Sequence, residues 1–488
     1  MDSERIIRNH PTVIISNFLT TIIAVCVLAY VNLAGVDLND YWRYIIGAFT
    51  ALTVVLLLLF FRWWQKTTFE FTDSELIVRF DLLSKKVKRI QYSRLASVNV
   101  KRNIYNIIFG TSTLMFNVNS SVNSTSAEAT LVLRKHEADE LRESLSKKIF
   151  DKQMSIDDDL RIESMIHVSN TEVIIHGFLA QPTSSAIFGL LMIVYSILSM
   201  FLGNGGGSIV ALILFIISTV IPWIKIVMKY YNYRIYRVDD TITVESGLIT
   251  NYRTSFKVSK VNSVRIREPL LARVLGRATL EAEVVGTADQ FGMPILCPLK
   301  PVNDVKALIP RLIPEFVTES DVVRQPSRST AVMSITALLV TAFVSLCVYG
   351  IHKLISMSVD PDDLRIAEAI ARYGYVFVVA VFAIMFVRIP LANRRRAVSM
   401  GDELFVFVIG GFDISTEIMR FDKVQIAKVS SGPLVRSMGL AVCTVSLITS
   451  AGARSVTSGY FTPEELENIP SEVMARIKDG RYDYHRYL

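Results

Sequence analysis

The amino-acid sequence predicts an integral membrane protein with six transmembrane helices in three hairpins, each followed by a small strand-rich domain. Two observations predict this class. The chain of 488 residues combines 51% hydrophobic with 20% charged residues, which is too apolar for a soluble protein and too charged for one buried wholly in lipid. A pattern of strand, turn, basic residue and glycine also occurs three times, once after each pair of apolar stretches.

Six apolar stretches are long enough to cross a bilayer, which takes about 20 helical residues. They contain no interior acidic residue, and they cover residues 12–34, 42–61, 184–202, 208–228, 331–351 and 373–391. The first follows Arg5 and Arg8, so a cleaved signal peptide is an alternative interpretation. Its apolar core exceeds the roughly 7–15 residues typical of signal peptides, and we therefore predict an uncleaved span.

Basic residues gather at one side of these predicted hairpins. They include Arg62, Lys66, Lys225, Lys229 and the run Arg394–Arg396. The positive-inside rule therefore predicts that both termini and all three strand-rich domains face the cytoplasm. The net charge of +7 follows from the same bias, and we do not expect nucleic acid as a partner.

The sequence contains no motif that indicates catalysis or a cofactor. The four cysteines form no Cys-x-x-Cys pair and the six histidines form no His-Glu-x-x-His motif, so the spacings typical of zinc sites and zinc proteases are missing. A phosphate-binding loop is missing as well. We predict a protein that is not an enzyme and binds neither cofactor nor metal.

An internal repeat is visible in two constant spacings. Sixteen residues separate a basic residue from a glycine in each copy, and thirteen residues separate a turn residue from the same basic residue. The basic residues are Arg94, Lys260 and Lys423; the glycines are Gly110, Gly276 and Gly439; the turn residues are Asp81, Gly247 and Gly410. We interpret the chain as a triplication, and expect the three glycines to permit a positive φ or close packing.

Each repeat ends in a predicted amphipathic helix. The three helices begin near Lys135, Pro301 and Thr462, the last with Thr as N-cap and Pro at the first helical position. Strands followed by one closing helix predict an α+β domain in which the helix covers an otherwise exposed sheet edge.

The repeat motifs resemble those of a known family. The runs Lys260-Val-Asn-Ser-Val264 and Leu271-Ala-Arg-Val-Leu-Gly276 are similar to the bacterial pleckstrin-homology-like (PH-like) domain. Three such domains behind three helix pairs resemble the YdbT type of bacterial membrane protein. The resemblance implies PH-like barrels of two packed antiparallel sheets, a bacterial cell-membrane location, and a smaller membrane partner with one PH-like domain. The first repeat departs from the motif at Ile107, where the others have an arginine.

These features give the expected domain boundaries. Hairpins are expected at 1–61, 184–228 and 331–391, PH-like domains at 62–150, 229–317 and 392–488, and linkers at 151–183 and 318–330.

Two groups of arginines are candidate binding residues. Arg273 and Arg436 stand three residues before the repeat glycine, where they can contact an anion or a lipid phosphate, or simply pack on the domain surface. Arg394, Arg395 and Arg396 follow the last predicted span. Juxtamembrane basic residues attract anionic lipid by about 1 kcal/mol each, although topology anchoring would require the same charges.

The function predicted from these features is assembly at the inner membrane surface. Three tethered domains could bind a partner subunit, a second copy or lipid headgroups with added avidity, so we expect a homo- or hetero-oligomer. A role of such a complex in protection against envelope stress or antimicrobial peptides is a further hypothesis. The alternative is a transporter or exporter component, against which the lack of acidic residues inside the spans argues.

Overall fold

The structure is a computed structural model that describes most of the chain. It describes residues 5–15, 17–18, 21–22, 42–81, 85–92, 95–102, 104–118, 129–150, 164–166, 168–201, 205–284, 295–318, 321–358, 364–449 and 452–480. Most of the first predicted span, 12–34, and the end of the last predicted domain lie outside these residues.

In the first repeat, one strand precedes a long apolar helix and the other strands follow it along the chain. Its elements are β1 (Arg5–Ile7), α1 (Trp42–Lys66), β2 (Thr67–Phe71), β3 (Glu75–Asp81), β4 (Lys85–Gln91), β5 (Leu95–Arg102), α2 (Ile104–Ile108), β6 (Thr111–Val118), β7 (Ala129–Arg134) and α3 (Lys135–Phe150). Strand β1, before the hairpin, pairs antiparallel with β2, which starts directly after α1. Burial alternates along β2 and β7, as expected for strands with one face on a core.

From its apolar helices onward, the second repeat has the same order of elements as the first, and before them it has a helix in place of a strand. Its elements are α4 (Asn170–Leu179), α5 (Thr183–Phe201), α6 (Gly205–Phe215), a π-helical turn at Ile216–Val220, α7 (Ile221–Tyr230), β8 (Arg234–Val238), β9 (Thr241–Ser246), β10 (Asn251–Lys257), β11 (Val261–Glu268), α8 (Leu270–Val274), β12 (Arg277–Val284), β13 (Ile295–Pro301) and α9 (Val302–Leu312). Helix α4 lies in the predicted linker 151–183. A capping box between Ser169 and Glu172 begins it by satisfying free N–H groups of its first turn.

The third repeat follows the same order again. It comprises β14 (Val322–Arg324), α10 (Ser329–Ser358), α11 (Leu364–Arg395), β15 (Ala397–Met400), β16 (Leu404–Gly410), β17 (Ile414–Arg420), β18 (Val424–Ser430), α12 (Pro433–Ser437), β19 (Val442–Thr449), β20 (Gly452–Thr457) and α13 (Pro463–Lys478). Strand β14, within the predicted linker 318–330, pairs with β15. Thr462 and Glu465 form a capping box at the start of α13, the N-cap that the sequence predicts.

Five helical segments of the described chain are long and apolar enough to cross a membrane. They are Gly47–Lys66, Thr183–Phe201, Ser208–Tyr230, Ser329–Leu354 and Gly374–Arg395. Each overlaps one predicted span. Little of their surface is buried in the protein, as expected for helices whose side chains face lipid. The molecule is therefore a membrane protein that combines apolar helices with antiparallel sheets.

The sheets of consecutive repeats are continuous with one another. A six-stranded sheet has the order β7-β6-β5-β10-β9-β8, and a seven-stranded sheet has the order β13-β12-β11-β17-β16-β15-β14. The six-stranded sheet joins strands of the first and second repeats, and the seven-stranded sheet joins strands of the second and third repeats. Smaller sheets, β1-β2-β3-β4 and β18-β19-β20, lie at the two ends.

The hydrophobic cores follow this shared arrangement. The largest core contains Val264 and Ile266 of the second repeat together with Val406 and Ile418 of the third. Met419, the next residue after Ile418, belongs instead to the core of the third repeat. Because successive side chains of a strand point to opposite faces, strand β17 covers one core with each face.

Candidate interaction site at the repeat junctions

The two junctions between repeats use the same strands in the same register. In the second junction, Ile266 is the partner of Thr416 and Glu268 is the partner of Ile414. When the repeats are aligned on their basic residues and glycines, the equivalent pairs in the first junction are Val100 with Arg253 and Arg102 with Asn251. These are the observed partners. The junction is therefore a repeated antiparallel interface, and not an incidental contact.

A cluster of buried charges lies across the second junction. Arg265 on β11 is paired with Glu417 on β17, with Nε 2.5 Å from Oε1. Arg265 also contacts Glu281 on β12, at 3.3 Å. From β20, Arg454 reaches Glu417 at 2.8 Å and Glu283 at 3.4 Å. The cluster thus connects β20 of the third repeat to β11, β12 and β17.

Burial and the neighbouring charges shift the pKa values of this cluster. The Glu417 side chain is only 1% exposed, and burial raises the pKa of its carboxyl while Arg265 offsets part of that rise. For Arg265, burial lowers the pKa, but the carboxylates of Glu417 and Glu281 more than offset this effect. Removing Glu417 would leave Arg265 with Glu281 and Arg454 with Glu283 as their remaining ion-pair partners. The loss of the most buried carboxylate of the cluster should still lower the free energy of unfolding.

A half-open cavity of about 360 Å³ lies beside the first junction. Its charged lining consists of Arg102, Lys135, Asp139, Arg234, Glu245 and Arg253. Arg102 contacts Asp139 at 3.4 Å and Arg253 contacts Glu245 at 3.0 Å. The acids therefore neutralise two of the basic side chains, which weakens the attraction of the cavity for an anion. Burial and Arg142 lower the pKa of Arg253 to about 10.

The beginning of α5 meets the second and third repeats at one point. The N–H of Thr183 donates to Asp413 Oδ2 at 3.1 Å, and the N–H of Leu270 donates to Thr183 Oγ1 at 3.2 Å and to Asp413 Oδ1 at 3.1 Å. The hydroxyl of Thr183 also donates to Asp413. Because Thr183 is the first residue of an apolar helix, the short helix α8, which starts at Leu270, lies beside the first turn of a candidate membrane span.

The candidate arginines of the repeats lie on the short helices before the glycines. Arg273 is on α8 and Arg436 is on α12. Arg273 is partly buried and Arg436 is exposed. Beside Arg273, Val274 and Leu275 are 76% and 60% exposed. The equivalent helix α2 exposes Ile107 and Ile108 instead, so an exposed apolar tip occurs in both the first and second repeats.

The three arginines at the end of α11 differ in exposure. Arg394 and Arg395 end the helix with exposed side chains. Arg396 lies partly buried, and its Nε donates to the carbonyl of Gly410 at 3.2 Å. Burial and the nearby Arg388 lower the pKa of Arg396. Arg396 therefore positions the turn between β16 and β17, while the other two arginines face outward.

The repeat glycines have almost identical backbone conformations. Gly110, Gly276 and Gly439 have φ of 63°, 64° and 67°. At Gly276, the chain leaves α8 and enters β12, and its N–H donates to the carbonyl of Arg273 at 2.9 Å. This left-handed turn strains any residue with a Cβ, so the glycine is required by the backbone.

Comparisons with known proteins agree with this arrangement. The model of the bacterial PH domain family matches residues 19–149 and 185–313, together more than half of the chain. The chain belongs to the bacterial PH domain family. It is also 22% identical over 387 residues to the UPF0699 transmembrane protein YdbT of Bacillus subtilis (strain 168), covering 70% of this chain and 76% of that protein. No solved structure matches the chain.

This bacterial PH protein contains site residues that sequence reasoning missed. Asp413, Glu417 and Arg265 were not singled out, although a charged residue near the middle of an otherwise alternating strand is a detectable signal. Aligning the repeats would not have revealed this pair, because the equivalent residues of the first junction are the uncharged Asn99 and Thr254. Within the described ranges, no group of His, Cys, Asp or Glu residues is placed to hold a metal ion.

Proposed function

We propose that this protein is a non-enzymatic multi-pass membrane scaffold that presents three PH-like domains as one platform at the cytoplasmic face of a bacterial membrane. The shared sheets carry this proposal. Strand pairing in one register at both junctions ties each domain to the next. A platform of fixed geometry suits the assembly of other subunits, since less conformational entropy is lost on binding.

The finer architecture belongs to the same proposal. Six spans in three hairpins, with boundaries at the positions expected from the sequence, would anchor three PH-like barrels, each closed by its last helix. The basic residues beside the spans favour the cytoplasmic orientation. A scaffold without a catalytic motif is consistent with an oligomer, formed either with a second copy or with a smaller PH-like membrane partner. It is also consistent with a role in protection against envelope stress or antimicrobial peptides.

We expect contact with lipid headgroups to help position this platform. The exposed side chains of Arg394 and Arg395 follow a membrane span directly, where a cationic group is attracted to anionic lipid. Arg273 lies on α8 beside exposed apolar residues, and Arg436 is its counterpart in the third repeat. We expect these arginines to orient the platform on the membrane surface and not to form a deep ligand pocket.

The test is to extract the tagged full-length protein from native membranes directly into lipid nanodiscs and measure its mass and composition. The expected result is a complex larger than one chain that recurs reproducibly and is missing from an untagged control. A protein that is monomeric and free of other subunits would contradict the scaffold. Substrate flux in liposomes containing only this chain would favour the transporter alternative.

A further inference from the structure

Strand β18 occupies the position at which a further junction would form. Strands β5, β11 and β18 are equivalent in the three repeats, and each contains an irregularity at the same place: Leu95/Ser97, Val261/Ser263 and Val424/Ile426. Strand β5 pairs with β10, and β11 pairs with β17. Strand β18 pairs with β19 on one side, and in the described part of the chain its other edge has no strand partner.

Exposure along β18 is consistent with a missing neighbour. In β11, most side chains are buried, because β17 and the third repeat cover the strand. In β18, Gln425, Ile426, Lys428 and Ser430 are exposed, and Ile426 is 62% exposed. An open edge with an exposed branched apolar side chain is a template for strand addition unless charge, proline or distortion protects it.

The charge on β18 specifies the partner. Lys428 is the counterpart of Arg265, the residue that meets Glu417 across the second junction. Within its own sheet Lys428 faces Thr444, whereas Arg265 faces Glu281. The third repeat therefore has a basic residue, Lys428, at the position where the second repeat has Arg265. Arg265 is opposed by an acid on the neighbouring strand, and opposite charges at directly opposed positions stabilise a strand pair. An acid opposite Lys428 would stabilise an added strand in the same way.

A second copy of the chain does not supply that acid. The strand equivalent to β17 in the first repeat is β4, whose outer edge has no strand partner in the described chain. In the common register β4 would place Lys88 opposite Lys428, and it also carries Lys85, Lys86 and Arg89. Like charges on opposed positions are destabilising, and lysines on an edge strand disfavour pairing.

We propose that the free edge of β18 binds an antiparallel strand of another protein, with an acidic residue of that strand opposite Lys428. The proposal rests on the scaffold function and names the surface through which a partner joins the platform. The added strand continues the sheet β18-β19-β20 as β17 continues the sheet of the second repeat. Backbone hydrogen bonds give affinity, and the acid selects the partner and its register.

The test uses a synthetic peptide with the sequence of residues 412–421, in which Ser415 is replaced by cysteine. In the second junction Ser415 is the partner of Arg267, whose counterpart on β18 is Ser430. The full-length protein in nanodiscs carries Ser430→Cys, with Cys26 and Cys347 replaced by alanine. Disulfide formation with the peptide is followed by intact mass, and Thr444→Cys on the central strand β19 is the matched control.

The expected result is a disulfide at position 430 that forms about fivefold faster with the peptide bearing Glu at its 417 position than with its Glu417→Lys version. Lys428→Glu in the protein should reverse that preference. Equal rates with both peptides, or equal reaction at the control position, would overturn the proposal. So would a disulfide between Ser430→Cys and Lys86→Cys full-length chains, since it would identify a second copy as the occupant.

Two controls separate failure of this inference from failure of the scaffold. Arg267→Cys with Ser415→Cys in one chain should form an internal disulfide and so confirm that paired positions of this kind react. If that control succeeds and the peptide does not react at position 430, the edge proposal fails even if the native complex persists. If the native complex is missing while the peptide reacts, the scaffold proposal fails.

Discussion

At the residue scale, a few buried polar groups hold the junctions and the membrane boundary together. Asp413 connects the start of α5 to the start of α8, and Glu417 connects β17 to Arg265 and Arg454. Neither acid could be identified from one repeat alone, because the partners of Asp413 and one partner of Glu417, Arg265, lie in the second repeat. The repeat glycines were predictable, since a constant spacing exposed them and their φ depends only on local backbone.

The first prediction concerns Glu417. Glu417→Ala leaves Arg265 and Arg454 without their shared carboxylate, so we expect a loss of about 3 kcal/mol in the free energy of unfolding. Thermal unfolding in detergent, followed by intrinsic fluorescence, measures the change. Glu464→Ala, at an exposed position of α13, is the control and should have little effect. Replacing Arg265 and Glu417 together by methionine should recover much of the loss; no recovery would mean that the charge pair is not the cause.

The second prediction concerns the pH dependence due to His176. This buried side chain accepts a hydrogen bond at Nδ1 from the N–H of Leu299, at 3.3 Å, and burial together with Arg267 lowers its pKa from 6.5 to about 4. The unfolded chain therefore binds a proton first as pH falls, and folded-state stability is lost between about pH 6.5 and 4. The full loss is about 3 kcal/mol.

Hydrogen exchange of the β13 amides, corrected for the intrinsic pH effect, measures this loss. Protection of Leu299 should fall as pH is lowered through that window. His176→Gln keeps an acceptor for the Leu299 N–H but cannot titrate, so its protection should not change with pH. The same pH response in both proteins would show that another group is responsible.

At the element scale, the sequence predicted most helices and strands but not how the strands combine. Alternating burial and apolar length identify an element from its own residues. Strands β1 and β14 are three residues long, too short for a periodic pattern, and α4 lay in a segment interpreted as a linker. The pairing of β11 with β17 depends on two edges far apart in the chain, which local patterns do not encode.

The third prediction concerns the exposed tip of α8. Because Leu270 contacts the start of α5, the side chain of Val274, 76% exposed, should enter the headgroup region. An environment-sensitive dye on Val274→Cys should therefore emit at a shorter wavelength in nanodiscs than the same dye on a free peptide in detergent-free buffer. Lipid-bound quenchers should also quench its emission. The same dye on Lys306→Cys, at an exposed position of α9, is the control. Equal quenching at both positions would place α8 away from the membrane.

At the scale of the whole molecule, each domain completes its neighbour. The seven-stranded sheet takes three strands from the second repeat and four from the third, and its two faces cover two cores. The repeat and the membrane spans could be predicted because spacing and apolar length are read directly along the sequence. The shared sheets could not, since the same strands could equally have closed into separate barrels.

The fourth prediction concerns the rigidity of the platform. Glu137 in α3 and Met474 in α13 are both exposed. Spin labels on Glu137→Cys and Met474→Cys should give one narrow distribution of label-to-label distances by double electron–electron resonance. Sheets that pass across both junctions leave little freedom between the first and third repeats. Glu417→Lys, which places a third cation in the buried cluster, should broaden the distribution. A broad distribution in the unaltered protein would mean that the repeats move independently.

The identical register of the two junctions has a consequence for the origin of the protein. If the chain arose by triplication, a single-repeat ancestor would have carried both edges on one molecule, the edge now at β11 and the edge now at β17. Copies of it would have associated head to tail, because a contact between two different surfaces repeats from one molecule to the next. Gene duplication would then have joined subunits that already associated, so that each copy was inherited together with its neighbour. The terminal edges have since diverged, with a row of basic residues at β4 and with Ile426 and Lys428 exposed at β18. This divergence disfavours pairing between copies and leaves the β18 edge for a different molecule.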